Sequence, residues 1–349
     1  MKVSAANGSD SLYIETYKPH ISVGFWISNP TYSMIITPKP DNLLDTSILR
    51  FSSSFQANYK AALGFVLSYR IFQLSIGFRS KTFALDENIH GKTNYKNLAL
   101  GLHLKPFYIQ AIYRNYSGFY DNQSKNYDSS LKPIDPYYYR NDLRNTYSKL
   151  YFMWYSNKDQ YSYGSVFSYS ERQKKGRGSF LIAGQMYHSS IKADSAIIHP
   201  LIREAYGDFG AFKETEVWGI GMGPGFARNF IIKRFSISFM ITAFAELQRN
   251  RVVLGDGRTN GYQNQLSVIG DTRLGFSYQN KRFFWGLYAR GDRHLINLRI
   301  LDINSSFTSV VMVFGWRFNP PEKLEKWYLK NETKINNEYE RLKSNYLKD

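Results

Sequence analysis

The chain of 349 residues contains no cysteine. It therefore has no disulfide framework, no thiolate metal site and no cysteine nucleophile. It also lacks any apolar run of about 18 residues or more, the length a helix needs to cross a bilayer. With a mean hydropathy of -0.42, that excludes a bundle of apolar transmembrane helices. Histidine is scarce, at His20, His90, His103, His188, His199 and His294, and no HExxH pair occurs. Gly219 to Gly225 is glycine-rich but lacks the lysine and Ser/Thr of a phosphate-binding loop. None of Asp256, Asp271 and Asp292 sits in a DxDxDG calcium loop, and solvated turn carboxylates account for them. His188 and Ser189 are adjacent, which in a strand sends them to opposite faces. No catalytic set, cofactor or metal is expected. An apolar signal core is missing from MKVSAANGSD, so either the start is truncated or misassigned, the signal has been removed, or the chain is not exported.

Aromatic residues and basic charge are present in quantity. Tyr 28, Phe 25 and Trp 6 make 17% of the chain, favouring strands and interfacial rings of amphipathic side chains. The formal charge of +17 is spread through Tyr-rich and Asn-rich loops, and only Arg172 to Arg177 forms a dense cluster. That distribution speaks against a nucleic-acid partner and is compatible with anionic lipid headgroups or acidic glycans.

The clearest local pattern is Lys60 to Ser80. Leu63, Phe65, Leu67 and Tyr69 alternate with Ala62, Gly64, Val66 and Ser68; after a minimal turn, Phe72, Leu74, Ile76 and Phe78 alternate with Gln73, Ser75, Gly77 and Arg79. A period of two predicts an antiparallel hairpin with one greasy face and one small or polar face. The device recurs. Strands are expected at His20 to Thr37 (one long, or two broken at Asn29-Pro30), Ser47 to Ala57, Tyr95 to Leu104, Phe107 to Tyr116, Thr146 to Ser156, Tyr161 to Ser170, Ser179 to His188, Glu216 to Ala227, Ile231 to Glu246, Gln265 to Tyr278, Phe283 to Leu298 and Phe307 to Phe318. A further short strand near Ile191 to Ile198 is needed for parity. Ser117 to Asn145 and Leu247 to Asn264 read as long polar loops. Short turns near Arg70, Lys105, Asn157, Asn229 and Asn280 alternate with longer excursions.

Short turns on one side and long loops on the other are the rhythm of an outer-membrane barrel. In hydrocarbon every backbone polar group needs an internal partner, so a sheet can span only by closing. The reading is an all-β, antiparallel transmembrane β-barrel of 12 to 14 strands, with a slight preference for 14, over residues 20–318. Residues 1–19 form a polar extension, disordered over Met1 to Asp10. After Pro320-Pro321, residues 319–349 form a charged helical tail, with Leu324, Trp327, Tyr328, Ile335, Tyr339, Leu342 and Tyr346 on one stripe; it either packs on the barrel base or frays. Aliphatic and aromatic residues face lipid, and Tyr69, Tyr113, Trp154, Tyr155, Trp285 and Trp316 supply interfacial belts. Gln73, Arg79, His103, Gln110, Arg114, Glu246, Arg290 and Arg317 face the lumen, which at this strand number is narrow or occluded.

The runs LGFVLSYRIFQLSIGF (Leu63 to Phe78), YRNYSGFYD (Tyr113 to Asp121), Tyr155 to Ser179 with FSYSERQKKGRGS, and GIGMGPGFARN (Gly219 to Asn229) together resemble a Bacteroidetes family, domain-of-unknown-function family 4421. The likeness covers about His20 to Phe318. It implies an exported outer-membrane barrel and carries no activity or site residue with it; the charged tail and the missing signal depart from the family pattern.

The expected role is an outer-membrane barrel that is structural or a narrow transport or binding barrel. Its partners are outer-membrane lipid, a glycan or small amphiphile at the external loops, and a periplasmic partner through the tail. Two other classes stay open: a membrane-embedded enzyme acting on lipid or envelope material, for which His103 would need a serine and a carboxylate beside it, and a soluble carbohydrate-binding β protein.

Overall fold

A computed structural model describes residues 12–17, 20–39, 51–297 and 301–333. Twelve antiparallel strands close a ring: β2 (Ile21–Pro38), β4 (Ala62–Tyr69), β5 (Phe72–Arg79), β6 (Asn94–Leu104), β7 (Phe107–Asp121), β8 (Tyr138–Tyr155), β10 (Arg177–Lys192), β11 (Phe212–Ile232), β12 (Phe235–Leu254), β13 (Thr259–Gln279), β14 (Phe283–Asn297) and β15 (Leu301–Phe318). Closure is made by β15 on β2, from Phe318↔Ile21 to Leu301↔Pro38. Three short strands complete the set: β1 (Ile14–Thr16) and β9 (Glu171–Gln173), which pair with each other, and β3 (Ser53–Gln56), which joins β2 to β7. Because β4, β5 and β6 are short, β3 takes their place toward the loop end of the wall. Pro30 falls in the interval between the β4 and β3 ladders, where β2 is paired with β15 alone. A missing N–H is tolerated there, so β2 runs unbroken past Asn29-Pro30.

Alternation sets the two faces. Leu63, Phe65, Leu67 and Tyr69 with Phe72, Leu74, Ile76 and Phe78 point outward, and Phe65, Leu67, Phe72, Ile76 and Phe78 are among the most exposed apolar side chains of the molecule. Val310, Met312, Phe314, Trp316 and Phe318 do the same on β15, and Phe235, Ile237, Ile241 and Leu247 on β12. A soluble sandwich would enclose these side chains; here they clothe the outside. The apolar band is uneven. On β12 it runs from Phe235 to Leu247, about 30 Å at a strand rise of ~3.3 Å and a tilt of ~40°. On β2 it ends at Ile27, where Asn29 and Thr31 take over, giving about 15 Å.

Glycines on the inner face serve as floors for aromatic rings. The Trp26 indole lies across Gly64 and Gly77, Tyr187 across Gly219, Phe284 across Gly315 and Tyr169 across Gly286; a Cβ at any of these glycines would overlap the ring. This explains the glycine run beginning at Gly219, where small residues also let β11 approach the Ala243 carbonyl of β12 at Gly223.

Several boundaries differ from the sequence reading. The preference for fourteen strands fails because Tyr161 to Ser170 does not cross: it turns into the lumen around a short helix, Gly164–Phe167. With that strand removed, parity no longer needs one at Ile191 to Ile198; β10 ends at Lys192, and a 3-10 segment, Pro200–Ala211, follows further on. The turn placed near Asn229 lies at Lys233-Arg234, and Asn229 is buried inside. Leu247 to Asn264 is mostly strand, with only Gly255 to Arg258 between β12 and β13, and the irregular stretch after Tyr116 shrinks to 122–137. Tyr155 faces the lumen against Tyr161, leaving the interfacial set; Tyr113, Trp154, Trp285 and Trp316 lie on the outward phase.

Residues 322–333 form a helix beneath the β4–β5 turn, held by Arg70 Nη2–Glu325 Oε1 at 2.7 Å and by Tyr328 packed edge-on to Tyr69. Ile335, Tyr339, Leu342 and Tyr346 of the expected stripe lie outside the described residues, as do Met1 to Asp10.

Candidate functional site in the barrel lumen

The lumen is filled from both ends. At the tight-turn end, the segment between β8 and β10 folds inward and is held by lumen side chains. Asn229 Nδ2 donates to Ser162 O (2.9 Å), Ser277 Oγ to Ser165 O (3.1 Å) and Arg273 Nη1 to Tyr163 OH (2.6 Å). Arg317 donates to Tyr169 O, Gln279 Oε1 (2.6 Å) and Asn280 O (2.7 Å), and its guanidinium stacks 3.8 Å from the Tyr17 ring. The β1–β9 ladder carries the N-terminal segment across the same opening, and Arg172 Nη1 pairs with Glu15 Oε2 at 3.0 Å. The basic run from Arg172 thus sits at this end.

At the loop end the closure is apolar. Ile197, Ile198, Ile202 and Tyr206, from the chain between β10 and β11, pack on Met34, Ile36, Phe55, Leu143, Leu301 and Ile303. Polar fasteners hold them. Arg140 grips Asp142 with two bonds (2.7 and 2.8 Å) and donates to the carbonyls of Ser195 and Ile197, each at 3.2 Å. The Tyr206 hydroxyl reaches Ile36 O (2.8 Å) and Phe51 O (2.9 Å). His199 caps the 3-10 segment: its Nδ1 accepts from Leu201 N at 3.3 Å while the ring meets Tyr138 edge-on. Loss of hydration lowers the His199 pKa, favouring the neutral ring that can accept this bond.

Between these fillings lies a chamber of about 70 Å³, bordered by Trp26, Gln73, Asn97, Gln110, Arg290 and Ser309, with Tyr163, Phe167 and Tyr169 of the inward segment on one side. A smaller space of about 30 Å³ lies beyond Phe307, lined by Arg114, Tyr116 and Tyr187.

The eight residues assigned to the lumen take distinct positions. Gln73, Gln110 and Arg290 line the larger chamber. His103 Nε2 meets Gln73 Oε1 at 3.4 Å, and its ring packs on Tyr108 and Tyr163. Arg114 lies 3.7 Å from the Phe307 ring. Glu246 is wholly buried and accepts from Gln185 Nε2 (2.8 Å), Tyr187 OH (2.7 Å) and Gln248 Nε2 (2.7 Å), three donors that satisfy its carboxyl oxygens. Arg317 serves the tight-turn filling. Arg79 stands at the loop end of β5 and pairs with Glu87; that bond lowers the Glu87 pKa. Asp271 is not a solvated turn carboxylate: it lies within β13, buried in the lumen, and bonds Arg273 twice (3.2 and 2.8 Å), while Asp256 does lie in a turn, with Arg258. No cluster of metal-ligating side chains occurs among the described residues.

Local sequence hid Tyr163, Ser165, Asn229, Arg140 and Tyr206. One signal was available: in Tyr161 to Ser170 one phase reads Tyr, Tyr, Ser, Phe, Tyr and the other Ser, Gly, Val, Ser, Ser, so neither face suits lipid.

A family described as "Domain of unknown function (DUF4421)" matches residues 8–318. The chain belongs to this family. No curated protein sequence matches it. Similar solved structures include a loop-deletion mutant of OmpT, an outer membrane protein of Vibrio cholerae, at 8% identity, covering 85% of this chain and 99% of that one with a TM-score of 0.27. An outer membrane channel from Pseudomonas putida F1 is 9% identical, covers 89% and 98%, and has a TM-score of 0.31. The transport unit of the autotransporter AIDA-I from Escherichia coli is 9% identical, covers 89% and 92%, and has a TM-score of 0.29. Likeness this low assigns no function to the chain.

Proposed function

We propose that this family member is an outer-membrane barrel whose lumen is closed at rest, a narrow binding or transport barrel that does not conduct freely. The tight turns face the periplasm and the long loops face outward. The observation that carries the reading is the double filling: an apolar core under the outer loops and a hydrogen-bonded segment across the base. An aqueous pore needs a continuous polar lumen, whereas Ile197, Ile198 and Ile202 are packed to near-complete burial against the wall.

The test is single-channel recording of the folded protein in planar bilayers. The full chain should give no sustained conductance, and replacing both fillings, 158–175 and 193–211, with short turns should produce discrete openings, whereas either replacement alone leaves the other filling in place. Sustained open-channel current from the full chain would overturn the proposal.

A further inference from the structure

Arginines in this lumen are almost all accounted for. Arg273 is neutralised by Asp271, Arg140 by Asp142, and Arg317 is bonded to carbonyl and amide oxygens. Arg290 differs. Its contact is the Phe307 ring, 5.5 Å from the guanidinium carbon, and no carboxylate among the described residues pairs with it; its buried Nε lacks an acceptor, as do those of Arg114 and Arg317. It borders the larger chamber. On the same lining stands Asn97, 6% exposed, whose Oδ1 has no donor.

Arg290 is half-buried, but its Nε and the Asn97 Oδ1 are shielded from bulk water without a partner, which is costly unless a solute or ordered water satisfies them. The remaining lining is Arg273, already neutralised by Asp271, with neutral hydrogen-bonding groups from Gln73, Gln110 and Ser309, aromatic rings such as Tyr95 and Tyr288, and aliphatic side chains such as Val311 and Val313. Charge and volume together select the occupant. One cation calls for one negative charge, and planar guanidinium matches carboxylate with two parallel bonds. About 70 Å³ is room for several solvent-sized groups, enough for a molecule of a few heavy atoms. The wall offers an approach: Arg273↔Arg290 is the rung next to Thr272↔Gly291, beyond which no described ladder joins β13 to β14.

We propose that the chamber is a binding site for a small monocarboxylate, with its carboxylate on Arg290 and a hydroxyl or amine of the same molecule donating to Asn97 Oδ1. This rests on the closed-lumen reading for its enclosure, but its test is independent of conductance.

The experiment is calorimetric titration of the detergent-folded full chain with sodium lactate, sodium acetate and sodium chloride at fixed ionic strength. Lactate should bind more tightly than acetate, and chloride weakly or not at all. Arg290→Met should weaken lactate by about ten-fold or more, the scale of a lost charge-assisted pair. Arg290→Lys should retain part of the binding, and Asn97→Leu should erase the preference for lactate over acetate while leaving acetate unchanged. Folding of each variant is checked by its heat-modifiable mobility; if Arg290→Met does not fold, the Lys and Leu variants decide. Absence of lactate binding to the folded wild type, equal affinity in Arg290→Met, or chloride binding as tightly as lactate would each overturn the proposal. A non-conducting barrel that fails to bind lactate would sink this site and leave the closed lumen standing.

Discussion

Substituting Gly77 by alanine should destabilise the barrel by about 2 kcal/mol, within the ~1–3 kcal/mol range of overpacked interiors. The sign is informative, because alanine is intrinsically better than glycine inside a strand by roughly 0.5–1 kcal/mol. Steric cost must exceed that gain. A Cβ at 77 would fall 2.6 Å from Trp26 Cζ2 and nearer still to Cη2, while the next atom, Asn97 Cβ, is at a comfortable 3.6 Å. The indole is therefore the sole obstacle. It cannot retreat across the neighbouring strand, where Gly64 forms the rest of its floor, without breaking the bond from Trp26 Nε1 to Ser75 Oγ at 3.1 Å. Trp26→Leu removes the obstacle and carries its own loss of packing. In that background Gly77→Ala should become neutral or slightly stabilising, so the two substitutions should couple by about 2 kcal/mol or more in a double-mutant cycle. Urea-driven unfolding in lipid vesicles, followed by the heat-modifiable gel shift, measures all four proteins. If Gly77→Ala costs the same with leucine at 26 as with tryptophan, the penalty comes from the strand backbone and the account of the glycine floor is wrong.

Acid should loosen the outer filling: with the folded His199 pKa below its unfolded value, the unfolded segment binds the extra proton, so the contribution is complete above the unfolded pKa and is lost as pH falls through the folded one. Protection factors across Leu201 to Ala211, which divide out the base-catalysed intrinsic rate, should therefore fall between pH 7 and pH 5, roughly the histidine range, and His199→Gln should flatten that dependence. Alternate amides of β13 between Asn264 and Gly270 have no described partner on the β14 side, so they should exchange far faster than those between Thr272 and Gln279; uniform protection along β13 would show the two strands zipped throughout.

What could be read from the sequence and what could not divides along the two faces of the wall. Hydrocarbon tolerates only apolar groups, so the outward phase is written locally: Leu63, Phe65 and Leu67, or Phe235, Ile237 and Ile241, declare the strand, its phase and its exposed side without reference to anything else. The ring of strands follows from that alone. Polar residues carry no such instruction, because a turn and a lumen accept the same ones. By polarity Asn229 and the stretch from Leu247 to Asn264 suit a turn or loop, yet Asn229 holds the inward segment and Gln248 holds Glu246.

The inner face is chosen by partners remote in the chain. Tyr206 bonds Ile36 across 170 positions, Arg273 reaches Tyr163 across 110, and Arg317 reaches Tyr169 across 148. No local window contains both members of such a pair. Arg290 is the instructive case. Alternation placed it on the inner face beside Arg317 as one of several lumen cations, all equivalent on the page of the sequence. Only the three-dimensional set separates them, because Arg317 meets Gln279 and Asn280 while Arg290 meets an aromatic ring and a space. A cation that faces a chamber with no counter-charge among the described residues is a statement about what else can enter, and it is invisible until the other pairings have been assigned.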